Sequence, residues 1–167
     1  MSTLYKSVYH SPVGQLIIIC NNQHLLKLYP QKMALDPISA VEEDVKPIQL
    51  TTLWLDAYFG GSKPSIHDLP IQASGTDFQQ KCWQLLCDIP YGSTRTYKDL
   101  AEEIAKSSKT GRMSCQAIGQ AIGKNPILII IPCHRIIGSN GKLTGYVGGL
   151  TLKRALLIHE NAIKTEL

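Results

Sequence analysis

Residues 127–131 are five consecutive apolar side chains that run directly into Pro132-Cys133-His134-Arg135. A run this dense has no polar side to turn to water, so it predicts a buried strand. Pro132 lacks the N–H that a ladder needs and ends it. Gly138-Ser139-Asn140-Gly141 then reads as a turn. The chain must therefore bend where it carries a thiol and an imidazole. A cysteine nucleophile works as its thiolate and needs a positive, partly open setting. His134 and Arg135 are candidates to supply it. Against this stands the ordinary fate of a cysteine, burial as a small hydrophobe. Adjacent side chains on an extended chain also point opposite ways. The surroundings have to decide.

At 167 residues the chain is long enough for one domain with a proper core or for two small ones. No apolar run approaches the ~20 residues that span a bilayer, and Met1-Ser2-Thr3-Leu4-Tyr5-Lys6 lacks the apolar stretch of a signal peptide. A soluble intracellular protein is expected, cytoplasmic in a prokaryote and nuclear in a eukaryote. The five cysteines (Cys20, Cys82, Cys87, Cys115, Cys133) are odd in number and irregularly spaced, which argues against a disulfide framework and for reduced thiols. Cys20, His24 and His10 are too few and too scattered for a zinc site, so no metal is expected. Charge is uneven: residues 1–75 carry a net −1 and residues 76–167 a net +5. The basic excess lies in the half with the Cys-His pair and is compatible with a polyanionic partner.

The first half reads as three short β-type runs, residues 4–10, 15–20 and 24–29, separated by turn chemistry at Ser11-Pro12-Val13-Gly14 and Asn21-Asn22. Residues 48–59 place Leu50, Leu53, Trp54 and Ala57 at helical spacing, and Gly60-Gly61 ends that helix. Residues 62–75 read as a linker. The second half opens with Thr76 and Gln79 spaced as a capping box. Phe78, Cys82, Leu85, Leu86 and Ile89 form the apolar stripe, and Pro90 stops the helix. A short helix over 97–105 follows, capped by Thr96, then a polar turn over 106–111 and a second helix over 113–123. Two short helices joined by a polar turn match a helix-turn-helix. The second is built from small residues, Ser114, Cys115, Ala117 and Gly119 among them. Such a helix either packs tightly against a neighbour or approaches a groove closely. The expected fold is α/β (α+β): a small amino-terminal strand-plus-helix domain, residues 1–70, then a mainly helical carboxy-terminal domain, residues 76–167. The latter holds the helix-turn-helix and a short buried strand leading to the cysteine.

Several strings then occur in order: Tyr91-Gly92-Ser93-Thr94, Tyr97-Lys98-Asp99-Leu100-Ala101, Gly123-Lys124-Asn125-Pro126, Pro132-Cys133-His134-Arg135 and Gly145-Tyr146-Val147-Gly148-Gly149-Leu150. Over residues 76–160 the chain resembles the DNA O6-alkylguanine alkyltransferases. The first half is similar only in general pattern to that family's variable amino-terminal domain. The resemblance implies DNA repair by irreversible transfer of an alkyl group from O6-alkylguanine, with O4-alkylthymine as a further substrate, to a protein cysteine, once per molecule and without a cofactor.

The resemblance assigns roles residue by residue. Cys133 is the acceptor, His134 activates it through a water molecule, and Glu160 orients His134 at the end of a last helix over 150–160. Tyr97 donates to guanine N3 and the Val147 N–H contacts O6. The carbonyls of Cys133 and Ile136 accept from the exocyclic amine, and Tyr146 packs on the base. Gly145, Gly148 and Gly149 let the backbone come close. Asn125 ties the helix-turn-helix to the active-site strand. The second helix, with Ser114, Cys115, Gln116, Ala117 and Gly119, enters the minor groove of double-stranded DNA. Arg112 and Arg135 stand among the DNA-contacting residues, although Arg135 also suits support of the active-site turn. The resemblance implies a monomer, little sequence preference and no membrane.

One position departs. Where the family pattern reads Arg-Ala-Val-Gly, this chain reads Gln116-Ala117-Ile118-Gly119. The family arginine fills the space left by the flipped base. Glutamine can still hydrogen-bond the orphaned cytosine but is shorter and uncharged, and Arg112 lies one turn earlier. Two other readings stay open. One is a non-catalytic protein that senses alkylguanine in DNA, against which Cys133 argues. The more remote one is a cysteine hydrolase using Cys133 and His134.

Overall fold

The structure is a computed structural model that describes residues 2–33 and 37–165. It divides into two units, Met1–Ser74 with Pro126–Leu128, and Gly75–Asn125 with Ile129–Leu167.

In the first unit the turn residues do what their chemistry predicts. β1 (Tyr5–Ser11), β2 (Gly14–Cys20) and β3 (Leu25–Pro30) form an antiparallel sheet in the order β1-β2-β3. Gly14, at φ 114°, starts β2 in a conformation that costs glycine little. The Ser11 hydroxyl donates to its carbonyl at 2.5 Å, closing the hairpin. β2 lies in the middle, and Leu16 through Cys20 are all buried. With both faces covered, its apolar run shows no alternation. α1 (Lys46–Phe59) packs on this sheet. Pro47 sits in its first turn, where a missing N–H costs nothing. Trp54 stacks on Tyr58, and its indole N–H donates to the Ser65 carbonyl at 3.0 Å.

Residues 62–75 are more ordered than the linker expected there. Ser65 caps a 3-10 turn, Ile66–Asp68, and Ile71 bridges to Leu25 through Leu25 N–H to Pro70 O (2.8 Å) and Gln72 N–H to Leu25 O (2.9 Å). The edge of β3 offers unpaired backbone groups, and a segment supplying partners gains order.

The second unit is built from capped helices. In α2 (Asp77–Cys87) the Thr76–Gln79 capping box is present. α3 (Tyr97–Ala105) carries a second one between Thr96 and Asp99. α4 (Cys115–Gly123) starts from Ser114, whose hydroxyl accepts the Ala117 N–H at 3.0 Å. Each such cap contributes about 1 kcal/mol. Trp83 of α2, Leu100 and Ile104 of α3, and Ile118 and Ile122 of α4 make the core. The Trp83 indole donates to the Ala121 carbonyl at 3.0 Å, pinning α2 to α4. β4 (Arg95–Thr96) and β5 (Ile136–Ile137) pair in parallel, and α5 (Leu150–His159) closes the unit. Among the described residues, no helix is long and apolar enough to cross a membrane.

The run 127–131 is fully buried, as its composition requires, but it is not a strand. Ile127 makes one bridge, to Leu28, and turns follow. Ile129 lies in the left-handed region at φ 69°, at a cost of roughly 1–2 kcal/mol for a β-branched residue. Apolar density specifies burial and not extension. Here the polar demand is met locally: the Ile131 carbonyl accepts from the Cys133 N–H (2.8 Å) and the Asn125 side chain (2.9 Å).

Candidate active site

Pro132 is followed by a single 3-10 turn, Cys133–Arg135. Three residues per turn separate successive side chains by roughly 120°. Cys133 and His134 thus escape the opposed directions of an extended chain. Cys133 lines a cavity of about 700 Å³ while remaining 5% exposed. His134 and Glu160 sit behind it, essentially without exposure.

The protonation pattern follows from the partners. Glu160, the C-cap of α5, meets His134 Nε2 at 2.5 Å and accepts from Arg135 Nε at 2.6 Å. Burial alone would lift this carboxyl, but the hydrogen bonds of His134 and Arg135 and the guanidinium charge outweigh it and bring it down to about 2. Glu160 is therefore ionised and can only accept. Burial also holds His134 below the ordinary histidine value, the contact with Glu160 notwithstanding. A neutral imidazole facing a carboxylate donates from Nε2, which leaves the lone pair on Nδ1. Nδ1 is buried and meets no polar protein atom among the described residues. The arrangement presents a base.

Burial pushes the Cys133 thiol up to about 11, against the pull of the Asn125 amide, the Lys153 ammonium and the Tyr146 hydroxyl. Asn125 donates to Sγ at 3.2 Å. The resting thiol is protonated and needs that base. The positive setting expected from His134 and Arg135 comes from elsewhere: His134 is neutral, and Arg135 is occupied by Glu160 and by the Ile89 carbonyl at 2.7 Å. The cation that favours the thiolate is Lys153, which the sequence reading missed. A helical projection of α5 carries the signal, since Lys153 lies three and four residues before Leu156 and Leu157, on the buried face.

Tyr97, Cys115, Gln116, Gly119, Tyr146 and Val147 all line the same cavity as Cys133. Tyr97 donates to the Thr144 carbonyl at 2.8 Å. Asn125 lies behind the wall on Sγ. The remaining expected site residues fall outside the cavity lining. Arg135, expected at DNA, is 8% exposed, and its guanidinium lies 5.9 Å from the centre of the Tyr91 ring. Buried beside a carboxylate, it is a support of the active-site turn and not a DNA contact. Ile136 is fully buried in β5, paired with Arg95, and Gly148 is also outside the cavity lining. Ser114 caps α4, while Arg112 is exposed just before that helix and Ala117 is half-buried on it. Among the described residues, no three His, Cys, Asp or Glu side chains gather as a metal site.

Comparison with known proteins meets this geometry on both halves of the chain. Residues 77–162 match the family model for the DNA binding domain of 6-O-methylguanine DNA methyltransferase, and residues 4–73 match that for its ribonuclease-like domain. The chain belongs to the O6-methylguanine DNA methyltransferase family. A methylated-DNA–protein-cysteine methyltransferase of Methanosarcina barkeri is 42% identical over 96% of this chain and 100% of its own length. One from Haemophilus influenzae is 38% identical over 94% of this chain and 86% of its own length. The crystal structure of the Mycobacterium tuberculosis O6-methylguanine methyltransferase superposes with a TM-score of 0.82 at 38% identity, covering 95% of this chain and 93% of that one. The same bacterium's protein in complex with DNA gives 0.81 at 38% identity, covering 94% and 92%. In this methyltransferase, then, the α4 side of the cavity carries Gln116, an exposed and uncharged side chain.

Proposed function

We propose that the protein repairs DNA by moving the methyl group of O6-methylguanine onto its own Cys133, once per molecule. The observation that carries this reading is the Arg135–Glu160–His134 chain behind a cysteine on the wall of an open cavity. His134 Nδ1 takes the thiol proton through a bridging water. The thiolate attacks the methyl carbon in line. The S–C bond forms, the C–O6 bond breaks, and the electron pair passes into the guanine ring. The leaving base is neutralised by a proton from Tyr97, whose hydroxyl turns from the Thr144 carbonyl to guanine N3. The proton held on His134 makes good that loss through solvent, so the thiol proton ends on guanine. Attack at a saturated carbon needs no oxyanion hole. It needs alignment and a stabilised leaving group, which fits the placing of Tyr97, Tyr146 and Val147 on one cavity with Cys133.

A base inside a duplex must be extruded to reach this thiol, at a cost of a few kcal/mol that is lower for a damaged base. The narrow outer face of α4, with Cys115, Ala117 and Gly119, suits the minor groove, where readout is degenerate and binding salt-sensitive. The protein acts as a monomer inside the cell, where thiols stay reduced. O4-methylthymine is a second substrate by the same chemistry. The test is to incubate the protein with duplex DNA holding one O6-methylguanine and weigh the intact chain. One added methyl group mapped to Cys133 is expected. Unmodified protein that still binds the lesion would point to an alkylguanine sensor instead.

A further inference from the structure

Lys153 has no exposed surface and, among the described residues, no carboxylate partner. Its ammonium donates to the carbonyls of Thr144 and Gly145 at 3.1 Å each and stands 5.9 Å from the centre of the Tyr97 ring. Burying an unpaired cation is costly. α5 has no packing need for one, because Leu152, Leu156 and Leu157 already form its buried face and a methionine would fill similar space. The charge must serve something near it.

Two neighbours belong to the chemistry. The first is the segment from Thr144 to Val147, whose Tyr146 and Val147 line the cavity with Cys133. Lys153 holds its first two carbonyls, and Tyr97 shares the Thr144 carbonyl. The second is Cys133, which lines one cavity with Thr144 and Gly145, the residues whose carbonyls hold the ammonium, so that the positive charge favours its thiolate. The other titratable groups that face it are Tyr97 on α3 and His134 on the 3-10 turn, whose protonation the ammonium opposes. A cation there thus helps the thiol lose its proton and keeps the base neutral.

We propose that Lys153 is a positioning residue for methyl transfer: its ammonium fixes the 144–147 wall of the cavity through two carbonyls and stabilises the Cys133 thiolate as it forms. The transfer part of this assignment rests on the function proposed above; the thiolate part does not. Burial brings the ammonium down to about 8, so it is mostly charged at neutral pH and loses its proton as the medium becomes alkaline.

The test compares the parent with Lys153→Met, Lys153→Gln and Lys153→Arg. Thermal unfolding, the pH profile of Cys133 alkylation by iodoacetamide (mapped by peptide mass), and single-turnover transfer from duplex O6-methylguanine are measured for each. In the folded Met variant the Cys133 midpoint should move up and transfer should slow by about a hundredfold, the scale of a lost charged hydrogen bond. Gln keeps donors without charge and should repair the wall but not the midpoint; Arg should restore the midpoint. An unchanged Cys133 profile in the folded Met variant overturns the proposal, whatever its transfer rate. Should Met not fold, Gln against Arg decides: equal midpoints overturn it, and a higher one in Gln supports it. If the parent transfers no methyl group while its thiol profile still responds to Lys153, the proposed function and the transfer part of this assignment fail and the thiolate part stands.

Discussion

Replacing Glu160 with glutamine removes one negative charge and leaves shape almost unchanged. Its consequences can be worked from the contacts. Glu160 serves both Arg135 Nε at 2.6 Å and His134 Nε2 at 2.5 Å, with the Gly92 N–H at 3.5 Å, in a site with almost no exposure. Breaking a buried pair by neutralising one partner costs about 3–5 kcal/mol, because the other charge stays behind unpaired. A domain's whole stability is about 5–15 kcal/mol, so Glu160→Gln should fold but melt far earlier in urea. The kinetic effect has a separate origin. If the glutamine oxygen faces Arg135, its amide N–H group faces His134 Nε2. That drives the imidazole proton to Nδ1 and removes the base. Transfer should slow by about 10²–10⁴-fold, the usual contribution of a general base. Single-turnover transfer at neutral pH measures it, on protein shown to be folded by its urea curve. The deficit should shrink as pH rises toward the Cys133 value of about 11, where the thiol ionises unaided. A folded Glu160→Gln protein that transfers within threefold of the parent would refute the tautomer argument.

Other outcomes follow from the same geometry. Asn125→Ala removes the donor to Sγ and one donor to the Ile131 carbonyl. It should cost about 1–3 kcal/mol in urea and raise the pH midpoint of iodoacetamide alkylation at Cys133. Gln116→Arg should speed repair of O6-methylguanine in a duplex and leave transfer from a free O6-alkylguanine base unchanged, because it acts on extrusion and not on the thiol. Equal changes on both substrates would contradict this. Stability should fall with acid in two stages. His134 and Glu160 are both lowered on folding, so the folded state binds fewer protons and loses stability as pH drops. The His134 stage begins below its unfolded value of ~6.5 and the Glu160 stage between ~4.3 and about 2. Urea midpoints across that range measure both, and Glu160→Gln should abolish the lower stage.

Much of this molecule is legible along the chain because its governing interactions are local. A cap joins a residue to one three positions on, so Thr76, Thr96 and Ser114 announce α2, α3 and α4 without knowledge of the fold. The hairpin chemistry at Gly14 and the helix stop after Phe59 are likewise read from neighbours. The ordered strings around Tyr97, Asn125, Cys133 and Tyr146 locate the chemistry for the same reason: each is a contiguous signature. The linker reading over 62–75 failed because Ile71 gains its partner from Leu25, far away in sequence.

Residue types and short spacings determined the hairpin, the capped helices and the thiol–imidazole pair, and the family resemblance pointed to the carboxylate at the end of α5. Only the tertiary structure decided which charges are free to act. Arg135 and Lys153 are both cations on paper, and the sequence favours Arg135, which touches the cysteine's neighbour. Folding gives Arg135 to Glu160 and sets Lys153 on the carbonyls of Thr144 and Gly145, with no carboxylate partner among the described residues. Burial then sets the protonation of His134, Glu160 and Cys133 together. That setting depends on desolvation and on partners such as His134 and Glu160, 26 positions apart, which no local pattern encodes.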